Sequence, residues 1–152
     1  MLHLGETTYR SPEHETAMSI TVASAVLASR TASDVEAVVR RNHASALIGG
    51  MAGSTRARFA RVPDRSVAGY LRLPVRVPGG IAGLDSRDRA LKLGLAQSYP
   101  KSLARLDALA GQIVRSSEHF PGTEQLVRDL ITLPTHSRVT EAERGEIVAL
   151  LR

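Results

Sequence analysis

The chain has 152 residues, a formal net charge of +5 and no cysteine. Its length suits one domain, and the lack of cysteine excludes disulfides and thiolate metal sites and favours the cytoplasm. No apolar run approaches the roughly 20 residues that cross a bilayer. The first residues, MLHLGETTYRSPEHE, do not have the basic and apolar regions of a secretory signal. We therefore expect a cytoplasmic protein without a membrane partner.

Arginine dominates the basic residues, since only Lys92 and Lys101 are lysines. Such a bias is common in proteins from GC-rich genomes; the alternative is an anion-binding surface for nucleic acid or sugar nucleotides. The arginines are spread along the chain, and aromatic residues make up only 3% of it, which leaves few stacking platforms for single-stranded nucleic acid. Nucleic acid is therefore not an expected partner.

The first 50 residues predict a polar arm over 1–16 and then a helical lead-in over 17–50. Small and apolar residues without a helix breaker predict a buried helix from Ala17 to about Ser29. A turn at 30–33 follows, and Ser33 and Glu36 have the S-x-x-E spacing of a capping box that starts a second helix. Gly49-Gly50 is expected to end it.

Two strands are predicted next, as part of an α+β core over 55–152. The first covers 58–62, and the second covers 68–77, where apolar residues alternate with Tyr70, Arg72 and Arg76. The apolar face of the second strand consists of Leu71, Leu73, Val75 and Val77. Pro74 cannot donate to a ladder, so it indicates an edge position or a bulge. The two strands could pair as an antiparallel hairpin across 63–66.

Two glycine-rich segments, 49–56 and 78–83, do not match phosphate-binding loops. The first lacks the Gly-Lys-Ser/Thr ending, and the second has the spacing G-G-x-x-G rather than G-x-G-x-x-G. We expect both to be connectors.

Short helices are predicted after the second connector. Asp85 or Ser86 can cap the first of them, and a further short helix over 102–109 follows Tyr99-Pro100. The expected inner face of the first helix consists of Ala90, Leu91 and Leu95.

The last third predicts a helix, a short strand and a final helix. Thr123 can cap the first helix, with Leu126 and Leu130 at helical spacing, and 131–134 is apolar and β-prone. Thr140 and Glu143 form a T-x-x-E capping box. Ile147, Val148, Leu150 and Leu151 supply the apolar face of the final helix. Together these elements predict an α+β fold: a small antiparallel sheet with helices packed on one face.

The order of these elements resembles the C-terminal small domain of the DegT/DnrJ/StrS family of sugar aminotransferases, which use pyridoxal phosphate (PLP) and have fold type I. The most specific match is T-L-P-T-H at 132–136, followed by Val139-Thr140 and an amphipathic helix. Met18-Ser19, Arg40-Arg41-Asn42 and the Tyr-Pro pair at 99–100 also resemble family elements in the family's order. The resemblance covers 17–152.

The resemblance implies a PLP enzyme, but the chain does not contain the residues that hold PLP. In the family, a lysine in the large domain that precedes the small domain holds PLP. Only 1–16 precede the matching region here, they contain no lysine, and neither Lys92 nor Lys101 matches the family's lysine. We therefore expect no catalytic and no cofactor-binding residue in this chain.

PLP is then expected only in a complex with a separately encoded large-domain chain, in a homo- or heterodimer. The hypothesis is a stand-alone or split C-terminal domain of a nucleotide-sugar aminotransferase, inactive by itself. The alternative is a non-enzymatic protein–protein interaction module or a relic of a truncated enzyme.

The resemblance places the small domain beside the active-site mouth. It makes Tyr70, Arg72, Tyr99 and Lys101 the candidates for substrate contact; the alternative is that they are ordinary exposed residues. His136 is expected to fix the T-L-P-T-H turn by a local hydrogen bond, or to contact another subunit.

No other chemistry is indicated by the sequence. The five histidines do not have metal-ligand spacing, and we expect no metal site. There is no G-x-S-x-G elbow and no Ser-His-Asp set, which argues against a hydrolase.

Overall fold

The computed structural model describes residues 17–106 and 119–152. The predicted arm over 1–16 and the end of the predicted helix over 102–109 lie outside these residues. The described elements are helix α1 (Ile20–Gly50), strand β1 (Arg58–Phe59), strand β2 (Arg72–Arg76), a 3₁₀ turn (Gly80–Gly83), helix α2 (Arg87–Lys92), strand β3 (Ala96–Gln97), a second 3₁₀ turn (Leu103–Arg105), helix α3 (Pro121–Asp129), strand β4 (Leu130–Pro134) and helix α4 (Glu141–Leu151).

The sheet has the order β1-β2-β4-β3, and every neighbouring pair is antiparallel. Leu73 lies opposite Leu133 and Val75 lies opposite Ile131. Residues opposite each other in an antiparallel pair share a face of the sheet, so these four side chains form one apolar face, and all are buried. This confirms the predicted α+β class with a small antiparallel sheet.

The position of Pro74 agrees with its missing N–H. Val77 N donates to Asp129 O, on the β4 side of the strand, over 2.9 Å. Every second residue of a strand donates to the same neighbouring strand, so Pro74, three residues before Val77, has its nitrogen on the β1 side. Strand β1 reaches only as far as the partner of Val75. Although β2 is an inner strand, its β1 side is open at Pro74 because β1 has ended, so no ladder bond is required there.

The helices bury the apolar face of the sheet. The last turns of α1 contribute Ala44 and Leu47, and α4 contributes Ile147 and Leu151, all of them fully buried. Helices α1 and α4 approach closely at Gly50, where an added Cβ would lie 2.8 Å from Val148 Cγ2. Burying each large aliphatic side chain is worth about 1.5–3 kcal/mol, so this packing fixes the end of α1 on the domain.

The predicted break in α1 is wrong, because α1 is one continuous helix of 31 residues. Its N-cap is Ser19, whose hydroxyl accepts from Val22 N. The Ser33 hydroxyl donates to Ser29 O within the helix instead of capping a new one, and Glu36 accepts from the backbone of Ser137. A local S-x-x-E pattern therefore does not start a helix where the preceding residues are also helical.

The two predicted strands of the hairpin do pair, but both are shorter than predicted. They are separated by a long connection, 60–71, in which Ser66 N donates to Pro63 O. Leu71 is 77% exposed and is not part of the buried face, because β2 begins only at Arg72.

Other predictions failed at element ends. Helix α3 begins at Pro121, so Thr123 lies inside its first turn and Phe120 is the N-cap. Leu91 is exposed, although it was expected on an inner face, and Leu126, which was predicted at helical spacing with Leu130, is exposed too. Strand β3 was not predicted, because two residues carry no periodic pattern.

The Thr140–Glu143 capping box is confirmed, with both of its hydrogen bonds present.

None of the helices in 17–106 and 119–152 combines the length and the apolar content that crossing a lipid bilayer requires.

Candidate functional site

The four predicted substrate-contact residues lie at opposite ends of β4. Arg72 pairs with Pro134 at the end of β4, whereas Ser98 N donates to Leu130 O at its start. Leu130 and Pro134 are four residues apart along the strand, which is about 13 Å, so the structure does not bring Tyr70 and Arg72 together with Tyr99 and Lys101.

Arg72 has its guanidinium directed into the sheet. Its Nε donates to Thr132 Oγ1 over 2.7 Å, and its Nη2 donates to Thr132 O and Gly94 O. Burial lowers the pKa of Arg72 from its ordinary value. These bonds join β2, β4 and the turn before β3, which is a structural role.

Tyr70 holds an uncommon backbone conformation, with φ of 45°. Its carbonyl oxygen accepts from the buried hydroxyl of Thr135 over 2.6 Å, and its half-buried side chain packs against the core. A bulky residue at positive φ is held only where its surroundings fix it, and the Thr135 bond contributes to this.

The turn at His136 is closed by the backbone, since Val139 N donates to His136 O over 3.0 Å. Nδ1 of the imidazole is buried, and among the described residues it has no hydrogen-bond partner. Nδ1 of His43 on α1 is also buried without a hydrogen-bond partner among the described residues. Nε2 of the same ring lies 3.1 Å from Nη1 of Arg144 on α4.

Tyr99 and Lys101 line a cleft with two adjoining compartments, which we name the Tyr99 cleft. One compartment, of about 500 Å³, is lined by Pro100, Lys101, Ser102, Arg105, Glu124, Val127 and Arg128. The other, of about 400 Å³, lies beside Tyr99, Leu91, Ala82 and Arg87. The compartments share Pro100, Val127 and Arg128, so they adjoin each other.

The Tyr99 cleft is lined by more cations than anions. Its only lining carboxylate is Glu124, as far as the described residues show, and this group is bound by Arg105 and lies 3.2 Å from His119 Nε2. Partial burial raises the pKa of Glu124, but the Arg105 hydrogen bond and charge outweigh it, with His119 adding to them, so the pKa lies below its ordinary value. Glu124 is therefore charged at neutral pH and is neutralised by its own partner.

Only some of the residues that line the Tyr99 cleft could be predicted from the sequence. Lys101 was a candidate, but Arg105 lies four residues further on, at the end of the second 3₁₀ turn, and Arg128 comes from α3. No linear spacing relates these segments, since pairing of β3 with β4 brings them together. A weak signal was available within one of these segments, where Arg105 follows Lys101 by four residues.

The described residues do not fit PLP. A Schiff-base lysine is held inside an active site, whereas Lys92, at the end of α2, and Lys101, in a loop, are both exposed. They also include no cluster of three His, Cys, Asp or Glu side chains that could hold a metal ion.

The first half of α1 forms a second exposed surface. Ile20, Leu27 and Val35 are 84%, 70% and 60% exposed, and Val22 and Val26 are half exposed. Successive residues of a helix are 100° apart, so Ile20 and Leu27 lie on one side and Val22 and Val26 on the opposite side. We name these five residues the α1 apolar surface. A helix that is apolar on opposite sides is typical of a buried helix.

No family model matches this sequence, and no curated protein matches it by sequence. Solved structures do match its fold. A DegT DnrJ EryC1 StrS aminotransferase from Brucella abortus gives a TM-score of 0.68 at 17% identity, covering 95% of this chain and 39% of that one.

Two further solved structures agree with this match. DesV from S. venezuelae, in complex with a ketimine intermediate, gives 0.66 at 19% identity, covering 84% of this chain and 34% of that one. The sugar aminotransferase CalS13 from Micromonospora echinospora gives 0.61 at 18% identity, covering 77% and 30%. This chain has the fold of part of a sugar aminotransferase. It spans about a third of the length of the enzymes that it matches.

Proposed function

We propose that this chain is the small-domain part of a nucleotide-sugar aminotransferase of the DegT/DnrJ/StrS type, not catalytic by itself. In this proposal a large-domain chain, encoded separately, carries PLP and its lysine. The present chain binds that partner, completes the mouth of its active site and forms a dimeric enzyme with it.

The α1 apolar surface is the observation that carries the proposal. Residues 20–35 are almost all exposed, and within the described part of the chain they make hydrogen bonds only inside the helix. Most helical stability in proteins comes from packing of an apolar face, so a covering surface would stabilise this half of α1. The partial match to sugar aminotransferases supports a large domain as that cover, because the other two thirds of those enzymes have no counterpart here.

Co-purification with a large-domain chain from the same genome tests the proposal. We expect a stoichiometric complex that retains PLP, whereas this chain alone retains none. The Ile20→Glu/Leu27→Glu variant should weaken the complex at least about tenfold, because an unpaired charge would be buried at the contact.

Val67→Glu is the matched control, since Val67 is 78% exposed and lies in the connection between β1 and β2. It introduces the same charge without touching α1 and should leave the complex intact. Failure of every PLP domain encoded beside this gene to bind the chain would refute the proposal.

A non-enzymatic interaction module is the second candidate, and the same α1 surface favours it. If this candidate is right, the purified chain should self-associate. The Ile20→Glu/Leu27→Glu variant should abolish that self-association, and an added PLP domain should not change it. If the chain is an aminotransferase subunit, the added large domain should instead replace the contacts between copies of this chain.

A further inference from the structure

A row of polar side chains joins α1 to the rest of the domain, between its exposed half at 20–35 and its packed end. Glu36, Arg40 and His43 recur at i, i+4 and i+7, so they lie on one side of the helix. The first two bind backbone atoms of the turn after β4 and of the connection before β2. The row therefore determines how the exposed half, with the α1 apolar surface, is held.

His43 joins this row to α4 as a hydrogen-bond acceptor. Its Nε2 lies 3.1 Å from Nη1 of Arg144. Arginine donates and never accepts, so Nε2 must keep its lone pair and the ring proton must be on Nδ1. Nδ1 is buried and has no hydrogen-bond partner in the described part of the chain. The contact therefore requires a neutral imidazole in one tautomer.

Arg144 is held in place, because its Nη1 also donates to Val139 O over 2.9 Å. A proton on Nε2 of His43 would turn the acceptor into a donor and would place a second cation against the guanidinium. Protonation of His43 must therefore break this contact between α1 and α4.

The charged groups on the facing elements do not give a protonated His43 an acceptor. On α1 itself, Glu36 pairs with Arg40 at 3.1 Å. On α4, Glu143 accepts from Thr140 N over 2.8 Å. The connection before β2 contributes the backbone oxygen that Arg40 binds. Both glutamates thus have other partners.

These glutamates do not titrate where imidazole does. Hydrogen bonds from Ser137 lower the pKa of Glu36, and hydrogen bonds from Thr140 lower the pKa of Glu143, so both stay charged at about pH 6.5, the ordinary imidazole range. The turn after β4 contributes His136, which both glutamates attract when it is charged. Its titration therefore does not push α1 away from the turn.

We propose that His43 is a proton-sensitive latch between α1 and α4. A neutral ring holds the helix against Arg144, whereas a charged ring releases it and loosens the exposed half of α1. The inference rests on the proposed function for what that half binds: acid should weaken the contact with the large-domain chain. The latch itself lies within this chain and is testable without a partner.

Urea denaturation of the purified chain at pH 7.5 and at pH 5.5 tests the latch. The folded chain keeps His43 neutral and the unfolded chain binds a proton there, so stability is lost as the pH falls through the ordinary imidazole range. Between these pH values, the unfolding equilibrium constant of the wild type should rise about tenfold more than that of His43→Gln. The glutamine oxygen can accept from Arg144 but does not titrate. Equal rises would overturn the inference.

Two further variants locate the effect. His119→Gln is the matched control, since His119 is 68% exposed and lies beside Glu124 of α3, and it should keep the wild-type loss of stability. Arg144→Gln removes the guanidinium that excludes a proton from Nε2, so its pH profile should be as flat as that of His43→Gln. A loss in Arg144→Gln as large as in the wild type would contradict the latch.

Nitrogen NMR of the imidazole rings gives a readout that does not depend on the folding of a variant. At pH 7.5 the proton of His43 should be on Nδ1, and the signal of the charged ring should appear only as the chain loosens in acid. A proton on Nε2 at pH 7.5 would overturn the inference.

The latch and the proposed function fail separately. If no large-domain chain binds but the tenfold difference in urea is found, the proposed function alone is refuted. If the complex forms but the wild type and His43→Gln have equal pH profiles, the latch alone is refuted.

Discussion

The buried carboxylate of Asp129 accepts a hydrogen bond from the backbone N–H of Gly79 over 3.1 Å. Asp129 lies at the junction of α3 and β4, and Gly79 lies in the turn after β2. The same carboxylate binds Arg128 Nε at 3.0 Å and lies 3.5 Å from Arg76 Nε. One side chain thus ties the start of β4 to the turn after β2, next to Arg128 of the Tyr99 cleft.

Replacing Asp129 with asparagine should destabilise the fold. The amide keeps the shape of the side chain, but it leaves two arginines without a charge partner and one polar group poorly bonded. We expect the free energy of unfolding to fall by about 2–4 kcal/mol in urea denaturation.

Asp64→Asn is the control for this change. Asp64 is 90% exposed and lies 3.8 Å from Arg61, so its loss should change stability by less than about 0.5 kcal/mol. Equal effects of the two substitutions would contradict the assigned role of Asp129.

Stability should also depend on pH through Asp129. Burial raises its pKa, but the Gly79 hydrogen bond and Arg128 outweigh this, so the pKa lies below the ordinary value of 3.8. A carboxyl whose pKa is lowered by folding adds stability above its ordinary pKa, and that stability is lost as pH falls through the folded value.

Urea denaturation at pH 5 and at pH 3 measures this effect. The wild type should lose more stability between the two than Asp129→Asn does. Glu36, Glu124 and Glu143 also have lowered pKa values, so both proteins should keep a common residual slope. Identical pH profiles would show that Asp129 does not contribute.

Thr140→Ala should remove the cap of α4. The Thr140 hydroxyl accepts from Glu143 N over 3.2 Å, and Glu143 in turn accepts from Thr140 N over 2.8 Å. We expect a loss of about 1 kcal/mol in the free energy of unfolding. Thr123→Ala should cause no such loss, because Thr123 is not the cap of α3 and alanine has the higher helix propensity. A comparable loss there would show that the effect of Thr140→Ala is not specific to the cap.

Gly80→Ala should be among the most damaging small substitutions. Gly80 has φ of +58°, and an added Cβ would meet the carbonyl oxygen of Arg128 and lie 2.6 Å from Gln97 Oε1. We expect a loss of more than about 2 kcal/mol in unfolding free energy. Gly49→Ala, where a Cβ meets nothing within 4 Å in a helix, should be neutral or stabilising by up to about 1 kcal/mol.

Local patterns determined what the sequence could predict. The capping box of Thr140 and Glu143 forms between residues three apart, and the alternation of Leu73, Val75 and Val77 fixes which face of β2 is buried. Both rest on interactions within one segment, so no distant partner was needed to predict them. The α+β class followed from the same patterns.

Tertiary structure decided the features in which a local signal competed with a distant partner. Ser33 and Glu36 have the spacing of a helix start, yet Glu36 bonds to Ser137, which is 101 residues away, and α1 runs on unbroken. Strand β3 exists only because β4 provides its hydrogen bonds, and that pairing gathers Lys101 and Arg128 around one cleft. Sequence alone determined the segments and their faces, whereas long-range pairing determined which charges share a surface, because side chains distant along the chain meet only when the sheet closes.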